Sequence, residues 1–264
     1  MFVGRTAEAR RFREAILARR SLLVFGAADA GKTALLKETL SSLPTAVRRN
    51  CLVCCSCGSP RSVWRDLIRS LAEVADPQVL SRMERECGPS GSFARWLDKQ
   101  SSLRLRGILR RATRDGAYFV FIDSPAPLPA GVYRLLQEWV WSGRTPVFLL
   151  ARGSTEQEIG KVAKLYWHSG LRLELGPMRT EHLMVLVDHS LARFRLTELA
   201  DEEFHDFLFK QCGGLPGRIL RLCELASQST YHHKGRLKLH TLAIDFQMQI
   251  QGELQTRLRA NQNG

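Results

Sequence analysis

Long apolar runs are missing from this sequence. Its longest apolar stretches are short segments such as residues 118–122 and 147–151, whereas a membrane-spanning helix needs about 18 or more consecutive apolar residues. The opening residues, MFVGRTAEARRF, also lack the apolar segment of a secretory signal. These two absences predict that the chain neither spans a membrane nor is secreted, and we expect it to be cytoplasmic.

Paired metal-ligating residues are scarce as well. The chain has seven cysteines, an odd number that favours a reducing compartment over a disulfide framework. Four of them fall in residues 51–57, and the spacing CxxCCxC invites a zinc interpretation. A structural zinc site needs a second ligand pair, which the other cysteines and the scattered histidines do not supply. We therefore favour a core strand over residues 51–57, and leave open whether Cys54, Cys55 and Cys57 are redox-active.

Acidic residues are few relative to basic ones, which gives a net charge of +13. The excess is uneven: residues 1–50 contain ten Lys and Arg against four Asp and Glu, and residues 101–150 contain seven against three. Residues 101–114 form a helix-like segment with five arginines and no acid. A phosphate-rich partner such as DNA fits this segment, and a solvated basic face is the alternative. The candidate DNA contacts are Arg104, Arg106, Arg110 and Arg111.

One motif has a specific chemical meaning. Residues 26–33, GAADAGKT, match the phosphate-binding pattern GxxxxGK[ST], with an apolar strand-like segment before them and helical periodicity after them. In this pattern backbone amides face the α- and β-phosphates. Lys32 is expected to neutralise the β- and γ-phosphates and Thr33 to ligate Mg²⁺. The sequence thus predicts a site for a purine nucleoside triphosphate, which we take to be ATP with Mg²⁺.

Apolar segments alternate with helical patterns over residues 1–177, which predicts an α/β domain whose parallel sheet is sandwiched by helices. We expect Ser62 to cap one of these helices. Residues 178–264 show helical patterns and no strand, and are predicted to form a helical lid bundle. Asp123 ends an apolar segment and is expected to help hold Mg²⁺. The next residue is Ser124, where hydrolases usually place an acid, so hydrolysis is slow, uses a residue elsewhere, or is lost.

Five segments, in order over residues 2–220, carry a resemblance to a known group. They read FVGR, SLLVFGAADAGKTALLKETL, VFLLARGS, KLYWHSGLRLELGPM and CGGLPGRIL, and they resemble the AAA+/STAND class of P-loop ATPases, particularly the archaeal-type ATPase family. The resemblance implies that Phe2, Val3 and Gly4 line the base pocket and that Ser154 takes a sensor position near the γ-phosphate. It also implies that residues 214–216, with Arg218, bring the lid onto the nucleotide.

The chain departs from that family where an LYGR motif is common before the last strand. Here the residues are LYWH, ending at His168, so an arginine that would reach a neighbouring subunit's nucleotide is missing. Neither Arg172 nor Lys164 has the spacing to replace it, and we interpret Arg172 as surface charge. The two neighbouring tryptophans Trp139 and Trp141 are interpreted as core or partner contacts.

Together these features define the expected site. The expected catalytic residues are Lys32, Asp123 and Ser154, and the expected Mg²⁺ ligands are Thr33 and Asp123. The expected nucleotide contacts are Phe2, Val3, Gly4, Gly26, Ala27, Ala28, Asp29, Ala30, Gly31, Lys32, Thr33, Ala34, Pro216 and Arg218.

Two functions fit this site. The first is an ATP-binding, slowly hydrolysing switch that regulates a partner or an assembly, with regulation of transposition or replication on DNA as its specific variant. The alternative is a degenerate ATPase that acts as a nucleotide-bound adaptor. Because the sequence ends soon after the predicted lid, we expect action through a protein partner, a homo-oligomer or DNA.

Overall fold

The computed structural model describes residues 2–55, 59–74, 85, 93–124, 128 and 130–262. By their contacts the residues form two compact units. We call Ala7–Gly26 with Leu36–Glu174 the sheet unit, and Met1–Thr6, Ala27–Leu35 and Leu175–Gly264 the helical unit. Within the described residues, no helix is both long and apolar enough to cross a membrane.

The sheet unit is built on five parallel strands. They are β1 (Leu22–Gly26), β2 (Cys51–Cys54), β3 (Phe119–Ser124), β4 (Val147–Arg152) and β5 (Arg172–Glu174). Their order in the sheet is β2-β3-β4-β1-β5, and every pairing is parallel. In this order β4 lies between β1 and β3. Because all the strands are parallel, Gly26 and Asp123 lie at the same edge of the sheet, at the carboxyl ends of β1 and β3. The parallel sheet flanked by helices confirms the predicted α/β P-loop architecture.

Thirteen α-helices are described. They are α1 (Thr6–Leu17), α2 (Lys32–Ser41), α3 (Thr45–Arg48), α4 (Pro60–Val74), α5 (Phe93–Lys99), α6 (Ser102–Ala112), α7 (Ala130–Ser142), α8 (Glu156–Ile159), α9 (Val162–Leu165), α10 (Thr180–Arg193), α11 (Glu202–Cys212), α12 (Pro216–Ala226) and α13 (Leu239–Gln262). The last four belong to the helical unit.

The core of the sheet unit forms where helices cover apolar strands. Phe121 of β3 and Phe148 of β4 stack with ring centroids 4.7 Å apart, and Phe12 of α1 packs on Phe148 at 5.7 Å. These three rings are almost fully buried, and strands buried on both faces read as continuous apolar runs. The same packing explains why FVFI and VFLLA carry no polar alternation.

The second strand is shorter than predicted. β2 covers Cys51–Cys54, and residues 56–58, which include Cys57, lie outside the described residues. Cys51 and Cys54 are buried, whereas Cys55 is exposed. Burial raises the pKa of the Cys51 thiol to about 12, as expected for a thiol that packs as an apolar group. Among the described residues no His, Cys, Asp or Glu cluster could hold a metal ion.

Two local predictions were wrong. Ser59, not Ser62, precedes helix α4, and the two serines exchange backbone-to-hydroxyl hydrogen bonds of 3.0 and 3.1 Å. Ser62 is therefore the third residue of the helix, and its hydroxyl accepts a hydrogen bond from the Ser59 amide, as in a capping box. The helical unit also contains strands, a small antiparallel ribbon of β6 (His232–His233) and β7 (Arg236–Leu237). Two-residue strands are too short to show a period in the sequence.

The helical unit has a core of its own. Helices α10 to α13 contribute buried apolar side chains that include Val187, Phe204, Leu222 and Phe246. The Asp201 carboxylate accepts a 2.9 Å hydrogen bond from the Phe204 amide and caps α11. This packing gives α12 a fixed support, and the beginning of α12 is part of the candidate site.

Candidate nucleotide-binding site

The P-loop runs between the end of β1 at Gly26 and the beginning of α2 at Lys32. Two of its residues have left-handed backbone angles, Asp29 with φ of 62° and Gly31 with φ of 91°. Gly31 is required for this reason, because a φ of that size strains any residue with a side chain. Its position is open enough for a ligand, since an added Cβ would only reach ordinary contact with Pro216, at 3.5 Å.

The donors of the loop fit phosphate. Within the described residues, the backbone amides of Ala28, Asp29 and Gly31 donate no hydrogen bond, and such amides together with the start of a helix form an anion site. The Lys32 ammonium donates a 2.7 Å hydrogen bond to the Ala27 carbonyl. Its charge is thereby held over the loop, where it can neutralise phosphate oxygens. The donor set thus suits the triphosphate of a nucleotide.

A cavity of about 310 Å³ adjoins the loop, entirely within the helical unit. Eight of the predicted nucleotide contacts line it, namely Phe2, Val3, Asp29, Gly31, Lys32, Thr33, Ala34 and Pro216. Its other lining residues were not predicted: Arg5, Met178, Leu186, Gly217 and Leu220. Loop residues supply polar groups on one side, while apolar side chains supply the other. Such an arrangement matches a ligand with a flat apolar ring and an anionic tail.

The remaining predicted contacts, Gly4, Gly26, Ala27, Ala28, Ala30 and Arg218, are not among the lining residues of the cavity. Gly26 is the last residue of β1 and belongs to the sheet unit, and Ala30 is fully buried. Gly4 has φ of 66°, and a Cβ on it would lie 3.0 Å from the His182 ring. The Arg218 guanidinium lies close to Gly213, because a Cβ added to Gly213 would lie 3.9 Å from Arg218 Nη1.

Arg5 is a site residue that sequence reasoning missed. It is 6% exposed, has φ of 56°, and its Nη2 donates a 2.6 Å hydrogen bond to the Gly176 carbonyl. This bond ties the N-terminal segment, with its cavity residues Phe2 and Val3, to the chain just before α10. A lone arginine in an FVGR segment gives no sequence signal for such a partner 171 residues away.

The beginning of α12 is bonded to the P-loop. The Gly217 amide donates a 2.9 Å hydrogen bond to the Asp29 carbonyl, and a Cβ added to Gly217 would lie 2.7 Å from the Asp29 Cβ. Pro216 is the first residue of this helix, the position where a missing amide hydrogen costs least. The loop and the helix are therefore in direct backbone contact, and only glycine fits at position 217.

Asp123 and Ser154 belong to the sheet unit. Asp123 is half-buried near the end of β3 and pairs in register with Leu150 of β4. Ser154 follows β4, and its amide donates a 2.5 Å hydrogen bond to the Glu158 carboxylate. The preceding Gly153 amide bonds the Gly26 carbonyl at 3.1 Å. Within the sheet unit, the residues after β4 thus lie beside the first glycine of the P-loop.

Arg172 is fully engaged in local structure. Its Nε donates to the Tyr166 carbonyl at 2.5 Å and its Nη2 to the Ala163 carbonyl at 2.9 Å, and its Nη1 pairs with the Glu156 carboxylate. A guanidinium with three such partners holds the end of α9 against β5. It is a structural residue.

No protein-family model matches the sequence, and no curated protein matches it either. Several solved structures are similar to it, and three of them are described here. The Walker-type ATPase of Pyrococcus abyssi has a TM-score of 0.57 at 16% identity, over 98% of this chain and 76% of that one. The Orc1 protein of Aeropyrum pernix, solved in complex with DNA, has a TM-score of 0.56 at 16% identity, over 93% of this chain and 66% of that one.

The third similar structure is a signal transduction ATPase with numerous domains (STAND) from Pyrococcus horikoshii, which carries a tetratricopeptide repeat sensor. Its TM-score is 0.51 at 17% identity, over 94% of this chain and 32% of that one. This chain therefore spans about a third of the length of that protein. At these identities the likeness concerns the fold.

Proposed function

We propose that this chain, whose fold is that of AAA+ P-loop ATPases, is an ATP-binding molecular switch. The single observation that carries the proposal is the cavity of the helical unit, which joins P-loop donors to apolar residues from the N-terminal segment and the helical bundle. The amides of the loop and Lys32 would bind the phosphates. Thr33 and Asp123 would hold Mg²⁺, which supplies charge neutralisation when bound.

The switching part of the proposal is supported by the contact between the P-loop and α12. Pro216 and Gly217 line the same cavity as Lys32 and Thr33, so a change in the phosphate chain acts directly on the beginning of that helix. A ligand shifts such an element only through different contacts with its two positions. ATP and ADP differ in the γ-phosphate, and we propose that this difference moves the helical bundle.

Hydrolysis is proposed to be slow. Ser124 follows Asp123 where an acid would polarise the attacking water, and Arg172, the nearest arginine to the missing LYGR position, is bonded locally. The adaptor alternative shares the binding site and lacks turnover. Free cysteines support the expectation of a cytoplasmic location.

Binding is tested with Lys32→Ala against Lys37→Ala, a matched change on the exposed face of the same helix α2. A fluorescent ATP analogue should bind the wild type and Lys37→Ala equally and should lose affinity for Lys32→Ala. Equal binding to all three proteins contradicts the proposed site. If the wild type releases phosphate from ATP and Lys32→Ala does not, the adaptor alternative is excluded. ATP that stays intact through long incubation, with and without DNA, excludes the enzyme.

Regulation of an assembly on DNA is the finer part of the proposal. It is supported by the basic residues of α6 and by the DNA complex in which the Aeropyrum pernix protein was solved. Size-exclusion chromatography with light scattering, run with ATP, with ADP and with a DNA duplex, tests it. A mass that changes with the nucleotide or the duplex supports the switch, and one constant mass in all three conditions contradicts it.

A further inference from the structure

A second cavity, of about 740 Å³, lies within the sheet unit between the ends of α6 and α7. We call it the arginine cleft. Its ten lining residues include four arginines, Arg110, Arg111, Arg114 and Arg144, and one acid, Glu138. The cleft therefore concentrates positive charge in one concave surface.

The arginines of this region divide into two groups. Arg110 and Arg106 both pair with the Glu138 carboxylate, at 2.7 and 3.8 Å, although the sequence predicted both as free DNA contacts. Arg111, Arg114 and Arg144 differ, because within the described residues their guanidinium groups make no hydrogen bond and no ion pair. Three unpaired guanidinium groups therefore share the cleft, and two of them were not among the predicted contacts.

The rim that carries these arginines is fixed by internal hydrogen bonds. The Thr113 hydroxyl donates to the Leu109 carbonyl at 2.9 Å, and the Thr145 hydroxyl donates to the Thr113 carbonyl at 3.1 Å. Both threonines are buried. The residues that precede Arg114 and follow Arg144 are thus joined, so the backbone that carries the two arginines is held together at this edge of the cleft.

The floor of the cleft contains Gly107, in the middle of α6. Glycine weakens a helix interior, but it also removes a side chain that would fill the cleft. A Cβ at this position would lie 3.8 Å from Arg111 Nη1. The Arg111 guanidinium therefore lies beside Gly107 in the cleft.

The cleft suits phosphate better than bases. Trp139 is the aromatic residue of its lining, and that side chain is 4% exposed, so it offers no surface for base stacking. Planar guanidinium groups bind phosphate oxygens in pairs, and backbone phosphates repeat along a nucleic acid strand. We propose that Arg111, Arg114 and Arg144 bind consecutive phosphodiester groups of a nucleic acid duplex. This inference rests on the nucleic-acid part of the proposed function and is independent of ATP binding.

The main test replaces the three unpaired arginines together, as Arg111→Gln, Arg114→Gln and Arg144→Gln. The matched control replaces three exposed arginines of the sheet unit outside the cleft, Arg13→Gln, Arg20→Gln and Arg48→Gln, so both proteins lose the same charge. Affinity for a DNA duplex is measured against salt concentration. Each lost phosphate contact removes about 0.9 from the slope of log affinity against log salt, so the cleft variant should lose about 2.7 and the control less than about 1.

A second variant changes affinity in the opposite direction. Glu138→Gln removes the carboxylate that pairs with Arg106 and Arg110 and leaves both guanidinium groups available to phosphate. Affinity for the duplex should rise and the salt slope should steepen by up to about 1.8, as expected for two added contacts. An unchanged or lower affinity of this variant contradicts the proposal.

The outcomes separate the cleft from the rest of the function. A duplex of RNA of equal length shows which nucleic acid supplies the phosphates, and poly-glutamate tests for general charge attraction. The cleft is overturned as a phosphate site if the cleft and control variants lose the same affinity for the duplex. It is also overturned if the wild type binds poly-glutamate as tightly as it binds the duplex. Failure of the wild type to bind either duplex overturns both the cleft and the nucleic-acid part. Binding of the ATP analogue by the same preparations tests the switch separately.

Discussion

The Arg221 guanidinium lies 3.4 Å from the carboxylate of Asp29, a residue of the P-loop itself. The two side chains are 27% and 25% exposed, and they join α12 to the loop beside the Gly217 hydrogen bond. A carboxylate in a phosphate-binding loop opposes an incoming triphosphate. In the proposed nucleotide complex, the paired arginine would offset that repulsion.

The first prediction separates the two charges of this pair. Asp29→Asn keeps a residue that tolerates the left-handed backbone and removes the repulsion, so affinity for ATP should rise. Arg221→Gln leaves the carboxylate uncompensated, so affinity should fall. For a partly exposed pair each change should be about twofold to fivefold. Titration with a fluorescent ATP analogue measures both, and shifts in the same direction for the two variants contradict this role.

The second prediction concerns close packing at Gly217. Gly217→Ala places a methyl group 2.7 Å from the Asp29 Cβ and 2.9 Å from its Cα, a distance that requires the loop or the helix to move. We expect a loss of about 1 to 3 kcal/mol in the free energy of unfolding, together with weaker ATP binding.

The matched control is Gly252→Ala in helix α13, where an added Cβ meets nothing within 4 Å. Alanine is the better helix former by about 0.8 to 1.0 kcal/mol, so this variant should be as stable as the wild type or more so. Urea unfolding of the three proteins measures the difference. Equal stability of Gly217→Ala and Gly252→Ala contradicts the observed contact.

The third prediction follows from the buried thiols. Burial raises the pKa of the Cys51 and Cys223 thiols from the ordinary value of 9.0 to about 12. Below pH 9 both states hold the proton and the contribution to stability is complete. Between about pH 9 and pH 12 the unfolded state loses the proton first, so stability falls as the pH rises. The Tm of the wild type should therefore fall more steeply across this range than that of a Cys51→Ala, Cys223→Ala variant. Parallel curves for the two proteins contradict the pKa shifts.

The fourth prediction distinguishes two tryptophans that stand close together in α7. Trp139 is 4% exposed and Trp141 is 64% exposed. Trp139→Ala removes a core side chain and should lower the free energy of unfolding by about 3 to 5 kcal/mol. Trp141→Ala should change it by less than about 0.5 kcal/mol. Guanidinium unfolding followed by circular dichroism measures both, and similar losses would falsify the assignment of only one of them to the core.

The phosphate side of the site could be read from the sequence because it is local. A strand, a glycine-bounded loop and a helix are consecutive, so GAADAGKT predicts its own surroundings. The apolar side could be predicted only in part: Phe2 and Val3 came from a family resemblance, while Met178, Leu186 and Leu220 carry no motif. These three reach the cavity through the packing of the helical unit, and no local pattern encodes such packing.

The basic segment, residues 101–114, shows that the sequence alone also cannot predict which charged side chains are free to bind a partner. Residues 101–114 contain no acid, so every arginine there looked free in the sequence. Glu138 lies on another helix and neutralises two of the predicted contacts, whereas Arg144 joins the cleft from beyond that helix. Charge runs indicate which partner chemistry to expect, but tertiary contacts decide which charges remain available.

Separate stretches of the chain line the polar and the apolar parts of the cavity in the helical unit. The P-loop and the first turn of α2 contribute Asp29, Gly31, Lys32, Thr33 and Ala34 to the lining, whereas Phe2, Val3, Met178, Leu186 and Leu220 form the apolar wall. Because the two sets do not overlap, substitutions in the apolar wall would, in the proposed nucleotide complex, change which base is preferred and leave the phosphate donors in place.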